Sequence, residues 1–190
     1  MNDLKNYSAQ EGLKNGVRVA MRAIRPDDRD AFLRAFKGLE ERSLCSRFFW
    51  PKTKLSETEL TEVVEVDFVN TVALITCVKD NDEERIIGDC RYIAFGKTDP
   101  QDKAEVSFTV EEDYQGLGIA SKLLKHLAGI AKERGIAEFH ADVLAENTGM
   151  LKVFKRCGFP MKQSRECDVV HVILSLSYKL ELNQDTIPLT

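Results

Sequence analysis

The stretch from Ala104 to Leu124, AEVSFTVEEDYQGLGIASKLL, decides the fold. Apolar and polar residues alternate from Ala104 to Val110, which is the period of a half-buried strand. After the turn Gln115 to Ala120, the apolar residues recur with helical spacing, at Ile119, Leu123, Leu124, Leu127, Ile130 and Ala131. A glycine-rich turn before a helix leaves backbone N–H groups free at the positive end of the helix dipole. Such a helix start binds phosphate, so the stretch predicts a strand, an anion site and an amphipathic helix.

The composition describes a protein of the soluble globular class, with 43% hydrophobic and 31% charged residues among 190. This length predicts a single domain. The net charge of −4 and the absence of a Lys/Arg run argue against nucleic acid as a partner. The N-terminal residues contain no apolar signal-peptide core, and no apolar run approaches the ~20 residues that a membrane span needs. We therefore expect no membrane association.

The five cysteines are odd in number and scattered, with no CxxC pair: Cys45, Cys77, Cys90, Cys157 and Cys167. This pattern favours reduced core thiols in a cytoplasmic protein over disulfides or a zinc site. No metal site is predicted.

The first half of the chain predicts one strand, three helices and two further strands. Residues 1–15 are interpreted as a loose polar lead-in, and a strand follows from Val17 to about Ile24. Proline and two carboxylates at 26–28 open a helix, a second helical segment covers 43–50, and the capping box Ser56–Glu59 opens a third. The apolar run 71–78 and the stretch 86–95 are predicted to form an antiparallel strand pair.

The second half adds the strand and helix of the opening stretch, then a strand, a helix and a last strand. Phe139, Ala141 and Val143 mark the strand, Asn147 precedes the helix, and Val169 to Leu176 is the final strand. The tail is placed at 181–190, so the single domain covers 16–180. Three or more antiparallel strands followed by a βαβ unit give a mixed sheet with helices on both sides.

The glycine turn has two interpretations that the residues alone leave open. A dinucleotide site of the Rossmann type is rejected, because the third glycine of GxGxxG is missing and antiparallel strands precede the turn. The phosphate-binding loop GxxxxGK[ST] is absent. What remains is a pyrophosphate held by the helix start, or a tight turn with no ligand.

The residues around the turn resemble the GCN5-related N-acetyltransferases, the GNAT superfamily. Its central motif, Gln/Arg-x-x-Gly-x-Gly/Ala, is matched by Gln115, Gly118 and Ala120. The resemblance continues through Asn147 and Phe154 to the pair Gly158-Phe159. It implies an α/β (α+β) GNAT fold, a mixed and mostly antiparallel sheet of six to seven strands flanked by helices on both faces.

A closer resemblance is to the GNAT domain of the bacterial protein lysine acetyltransferases of the Pat type, which modify acyl-CoA synthetases. It is carried by VRVAMRAIRP at 17–26, SLCSRFF at 43–49, and the AEVSFTV and YQGLGIA segments of the core. The resemblance implies acetyl-CoA as acyl donor and a protein lysine as acceptor, an acyl-CoA synthetase being one candidate. A homodimer is a further expectation from the superfamily.

The resemblance also assigns roles to residues. Glu105 corresponds to the proposed general base, although a solvent-facing strand carboxylate is the plain alternative. A backbone N–H near Val110 polarises the thioester carbonyl, and Asn147 binds the pantetheine arm or simply caps its helix. The remaining cofactor-binding residues are Phe108 and Thr109 on the strand, then Gln115, Gly116, Leu117, Gly118, Ile119, Ala120 and Ser121 at the pyrophosphate.

One position departs from the family pattern. Many relatives have a tyrosine in the last helix as general acid for the leaving thiolate, and this chain has Phe154. Phenylalanine cannot donate a proton, so Phe154 is interpreted as a packing contact to the cofactor. A thiol with a pKa of ~8.5 leaves as the thiolate at little cost.

The function predicted from the sequence is transfer of the acetyl group of acetyl-CoA to an amine, directly and with a glutamate base. A protein lysine is the favoured acceptor. The alternatives are a small-molecule amine acetyltransferase and a non-catalytic acyl-CoA-binding sensor, which would have no use for Glu105.

Overall fold

A computed structural model describes residues 4–50, 52–80, 83–96 and 102–176. Within them, eight strands form one sheet: β1 Ser8–Gly12, β2 Arg18–Ala23, β3 Thr71–Asp80, β4 Glu83–Phe95, β5 Lys103–Val110, β6 Glu138–Leu144, β7 Met161–Glu166 and β8 Val169–Ser175. Five α-helices accompany them: α1 Arg29–Gly38, α2 Glu41–Phe48, α3 Glu57–Val64, α4 Ile119–Glu133 and α5 Thr148–Arg156. This is the mixed α/β fold that the sequence predicts, with eight strands instead of six to seven.

The strand order in the sheet is β1-β2-β3-β4-β5-β6-β8-β7. All neighbours run antiparallel except β5 and β6, which are parallel as expected of a βαβ unit. Their pairing covers only three residue pairs, from Lys103 with Glu138 to Glu105 with His140. Because β5 continues to Val110, its second half leaves β6 and a gap opens between the two strands.

The helices lie on opposite faces of the sheet. One face carries the apolar side chains of β5, Ala104, Val106 and Phe108, and packs against α4 and α5. The other face carries Glu105, Ser107 and Thr109, and lies beneath α1, α2 and α3. The alternation along β5 therefore sorts its side chains between two chemically different layers.

Two strands of the sheet, β1 and β7, were not predicted from the sequence. The stretch Ser8–Gly12 pairs in register with β2, so the prediction of a loose lead-in over residues 1–15 is wrong for this part. β7, MKQSRE, is exposed at all positions except the half-buried Met161. Both are polar strands at the edges of the sheet, and neither carries the apolar pattern on which strand prediction depends. The proposed tail at 181–190 lies outside the described residues.

A buried ion pair positions the first helix. Arg22 on β2 donates two hydrogen bonds to the carboxylate of Asp28, at 2.7 and 2.8 Å, and two more to Glu84. Asp28 also accepts the backbone N–H of Arg25. These hydrogen bonds raise the pKa of Arg22 above its ordinary value. The start of α1 is thereby fixed to the sheet.

Candidate active site

A cavity of about 240 Å³ lies between the sheet and the three helices α1, α2 and α3. Its roof is largely apolar and its floor is polar, because β4 and β5 turn their hydrophilic side chains towards it. The roof includes Phe32, Phe36, Leu39, Phe48, Leu55 and Val63, and the floor includes Asp89, Arg91, Ile93, Glu105, Ser107 and Thr109. We call it the helix-side cavity.

Glu105 lies on the floor of the helix-side cavity and is exposed. It shares this face with Ser107 and Thr109, as the alternation of β5 predicts. It is also the last residue of β5 that pairs with β6. The carboxylate therefore stands where the cavity meets the gap between the two strands.

The gap between β5 and β6 exposes backbone polar groups. Beyond Glu105, β5 pairs with β4 on one side and has no parallel partner on the other within the described residues. The N–H and C=O groups of a strand are unfavourable when buried without a hydrogen-bonding partner. An extended ligand with amide groups of its own satisfies such an edge.

The two predicted aromatic residues meet beside the gap. Phe108 of β5 and Phe154 of α5 form an edge-to-face contact with ring centroids 6.0 Å apart. Phe154 is 1% exposed, so its ring belongs to the core. Asn147 caps the same helix, with its side-chain oxygen accepting the N–H of Met150 at 3.0 Å. The capping role expected of this asparagine is therefore present.

The turn before α4 depends on glycine. Gly116 and Gly118 have φ values of +76° and +99°, a conformation that other residues rarely adopt. A side chain built at Gly116 would meet nothing within 4 Å, so the space before the turn is open. α4 has no side-chain cap at Gly118. The first-turn N–H groups of Ile119, Ala120 and Ser121 therefore face this space without an intrahelical acceptor.

Gln115 differs from its predicted role. Its backbone N–H donates to the carbonyl of Glu112 at 3.1 Å, so it adds no free amide to the turn. Its side-chain amide donates to Ser43 of α2 and to the carbonyl of Val110, at 3.2 and 3.1 Å. Gln115 therefore joins the turn to the end of β5 and to α2.

Two lysines near the turn were missed by the sequence analysis. Lys14, after β1, donates from its backbone to Leu117 and from its side chain to Gly116. Lys122, in the first turn of α4, forms an ion pair with Glu11 of β1 at 2.6 Å. The contacts of both lysines depend on the pairing of β1 with β2, which no local pattern signals. Lys14 adds positive charge before α4, whereas Glu11 already balances the charge of Lys122.

These features fit a pyrophosphate-bearing coenzyme with an extended amide arm. The glycine turn offers open space, free N–H groups and two nearby lysines, which is the chemistry that phosphate requires. No group of three or more His, Cys, Asp or Glu side chains in the described ranges is arranged to hold a metal ion. No helix within the same ranges is long and apolar enough to cross a membrane.

Comparison with known proteins agrees with this geometry. Residues 38–159 match the model of the acetyltransferase (GNAT) family. A protein of Pseudomonas aeruginosa described as an acetyltransferase is 27% identical over 149 residues, which is 78% of each chain. The acetyltransferase Pat of Mycolicibacterium smegmatis is 30% identical over 146 residues. That alignment covers 77% of this chain and 42% of Pat, less than half of its length.

Among solved structures, the GNAT domain of Streptomyces lividans Pat superposes with a TM-score of 0.80 at 35% identity. The superposition covers 88% of this chain and 96% of that domain. Members of the family transfer an acetyl group from acetyl-CoA to an amine. The chain belongs to the GNAT family of acetyltransferases.

Proposed function

We propose that this acetyltransferase modifies the side-chain amine of a lysine in a protein, with Glu105 as the general base. The observation that carries the proposal is the position of Glu105. It is the last residue of β5 paired with β6, and it lies on the floor of the helix-side cavity. An acceptor amine that enters through this cavity reaches the Glu105 carboxylate. That carboxylate lies beside the gap between β5 and β6, where the arm of the coenzyme fits.

The donor half of the proposal assigns the pyrophosphate of acetyl-CoA to the turn before α4. The amides from Gly116 to Ser121 face the phosphates, and Lys14 adds positive charge. The pantetheine arm lies along the free edge of β5, with Phe108, Thr109 and Asn147 beside it. Acetyl-CoA supplies an activated acetyl group there, and a backbone N–H near Val110 polarises its carbonyl.

The base is needed because the acceptor is an ammonium ion at neutral pH. A lysine with a pKa near 10.4 is almost fully protonated and has no lone pair for attack. Glu105 accepts this proton directly or through a water molecule. The amine nitrogen then bonds to the acetyl carbon, the carbon–sulfur bond breaks, and the nitrogen gives up a second proton to solvent or to the leaving sulfur. Because Phe154 has no proton to donate, the sulfur leaves as the thiolate or is protonated by water.

Two observations support a protein as the acceptor. The first is the similarity of this chain to Pat. The resemblance to the Pat-type enzymes implies a protein lysine as the acceptor, an acyl-CoA synthetase being one candidate. The second lies beside Glu105 on β4. Ile93, which pairs with Glu105 across the strands, is 46% exposed, and Phe95, two residues further along β4, is 40% exposed. An exposed apolar pair beside the base suits contact with a polypeptide. We propose a cytoplasmic location with this substrate.

The test is acetyl-CoA turnover by wild type and Glu105→Gln against purified acyl-CoA synthetases and a panel of small amines. With the true acceptor, we expect kcat to fall by about 10²–10⁴-fold in the variant, since that is the usual contribution of a general base. Coenzyme A affinity, measured by calorimetry, is expected to stay the same. Glu41→Gln is the matched control, because Glu41 is exposed on α2 and does not line the cavity.

The outcomes separate the alternatives. Turnover of a small amine but of no protein lysine would replace the proposed acceptor and keep the base. Equal kcat for wild type and Glu105→Gln would remove Glu105 from the chemistry. Coenzyme A binding without turnover of any acceptor would indicate a sensor.

A further inference from the structure

Arg91 occupies an unusual position on the floor of the helix-side cavity. It lies on β4 directly across from Ser107, and its side chain lines the cavity. Its side chain forms no hydrogen bond or ion pair with any residue in the part of the chain that the structure describes. Its Nε atom is fully buried and has no hydrogen-bonding partner there. The guanidinium group is therefore partly buried, and its Nε–H donor is left without an acceptor.

A second arginine lies close to the first. Arg47 of α2 lines the same cavity, and its guanidinium carbon stands 5.4 Å from the centroid of the Phe48 ring. It too has no ion pair with the described residues. Burial lowers the pKa of Arg91 from its ordinary value, and the positive charge of Arg47 lowers this pKa further. Two cations thus face one cavity, and neither forms an ion pair with the described carboxylates that also line it.

Some of the other charged groups that line the cavity are paired, whereas Asp89, Glu62 and Glu105 form no ion pair with the described residues. Among the arginines, Arg85 bonds the carboxylate of Glu111 at 2.7 Å through both oxygens. Among the cavity carboxylates, Glu59 is held by Lys52. Asp89 and Glu62 act on Arg91 only through longer-range attraction, with no ion pair formed. The floor and roof thus leave Arg91 and Arg47 open to an outside partner.

Burial of an unpaired cation is costly, and a second cation beside it adds to the cost. A guanidinium group presents its N–H donors as a planar fork that matches the two oxygens of a carboxylate. We propose that Arg91, assisted by Arg47, binds a carboxylate carried by the acceptor molecule. The proposal rests on the function proposed above, because it describes the acceptor side of the same site.

The register sets the spacing of the acceptor's groups. Arg91 faces Ser107 and Ile93 faces Glu105, so Arg91 and Glu105 are diagonal neighbours on adjacent strands. Diagonal neighbours lie about 7–8 Å apart. The acceptor therefore carries its amine and its carboxylate a few bonds apart. Two sources provide this chemistry: an acidic side chain next to the lysine of a protein, or the α-carboxylate of a free amino acid.

The first experiment measures binding without acetyl transfer. Calorimetry with the coenzyme A complex compares N-acetyl-δ-aminovalerate with its primary amide, which differs only in the charge. We expect wild type to bind the acid at least about tenfold more tightly, as expected for a charge-assisted hydrogen bond. Arg91→Gln is expected to bring the ratio to about one, and Arg91→Lys to retain part of it. Arg42→Gln is the control, because Arg42 is exposed on α2 and does not line the cavity.

If wild type binds the acid and the amide equally tightly, the carboxylate site is overturned, whatever the variants do. A ratio that survives in Arg91→Gln would also overturn it. If Arg91→Gln fails to fold, judged by circular dichroism and coenzyme A affinity, the wild-type ratio and Arg91→Lys decide. An Arg91-dependent ratio in a protein that acetylates no amine would leave the site standing and refute the proposed function.

The second experiment identifies the source of the carboxylate. Acetylation rates are compared for lysine peptides with glutamate or glutamine beside the lysine, and for free lysine against lysinamide. A higher kcat/KM for the glutamate peptide, lost in Arg91→Gln, assigns an acidic side chain of a protein. The same pattern for free lysine assigns an amino acid. No Arg91-dependent preference in either pair would contradict the proposal.

Discussion

The two faces of the sheet are built differently. On one face, α4 alone buries seven residues, from Ile119 to Ala131. On the other face, α1 and α2 bury one residue each, and α3 buries two. The face that carries α4, to which we assign the coenzyme and which we call the coenzyme side, therefore rests on a close-packed core. The helix-side cavity is covered by short helices with few buried residues. The helix side accordingly has the looser packing in which an acceptor can find room.

This difference separates two tasks of the enzyme. Phosphate binding requires N–H groups in fixed positions, and α4 is fixed by its apolar face. Acceptor binding requires a cavity of particular shape and charge, and α1 to α3 provide walls that can change without disturbing α4. We expect mutations on the two faces to affect different measurements.

The largest effect is expected from Gly118→Glu on the coenzyme side. The backbone at Gly118 has a φ of +99°, which disfavours any side chain, and the new carboxylate would stand before the helix start. We expect coenzyme A affinity to fall by more than about a hundredfold, because charge repulsion replaces attraction at the anion site. Calorimetric titration with coenzyme A measures this fall in affinity.

Gly129→Glu is the matched control for this prediction. Gly129 is exposed on the same helix, and a side chain there would meet nothing within 4 Å. Unchanged affinity in Gly118→Glu would contradict the phosphate assignment. Reduced affinity in both variants would point to a general effect of negative charge on α4.

A second prediction compares stability between the faces. Leu127 of α4 is completely buried, and Leu127→Ala is expected to lower the free energy of unfolding by about 2–5 kcal/mol. Val63 of α3 is half-buried on the wall of the cavity, and Val63→Ala is expected to cost less than Leu127→Ala. Urea denaturation of both variants measures the difference. Equal losses would mean that the two layers are equally well packed.

The smallest effect is expected at the cap of α3. The hydroxyl of Ser56 accepts the N–H of Glu59, and the Glu59 carboxylate accepts the N–H of Ser56. Ser56→Ala is expected to destabilise the protein by about 1 kcal/mol. Hydrogen exchange should show faster opening confined to α3. Loss of protection in α4 as well would show that the two faces are coupled.

The elements with an apolar period could be predicted from the sequence. The strand and helix around the glycine turn, the capping box before α3 and the asparagine before α5 all follow local rules, and the structure has each of them. The family follows from the same residues, since Gln115, Gly118 and Ala120 lie in one motif. What a local pattern encodes could be predicted without the structure.

The features that depend on distant partners could not be predicted. Lys14 reaches the glycine turn only because β1 pairs with β2. Gly88 carries no motif, yet a side chain there would approach the carbonyl of Thr109 to 3.0 Å and Ile119 to 3.2 Å. In the sequence, nothing distinguishes Arg91 from an exposed arginine on a strand. Its partial burial depends on the helices that cover the cavity. Each of these residues acquires its meaning from contacts made across the fold.

The two polar edge strands have a consequence for the protein's behaviour in solution. β1 and β7 bring side chains such as Glu11, Lys162 and Arg165 to the ends of the sheet, where unpaired backbone groups would otherwise recruit another strand. Charged residues on edge strands discourage such pairing. Aggregation through pairing of edge strands from different molecules is thereby disfavoured. If the enzyme forms a homodimer, we expect the interface to lie elsewhere on its surface.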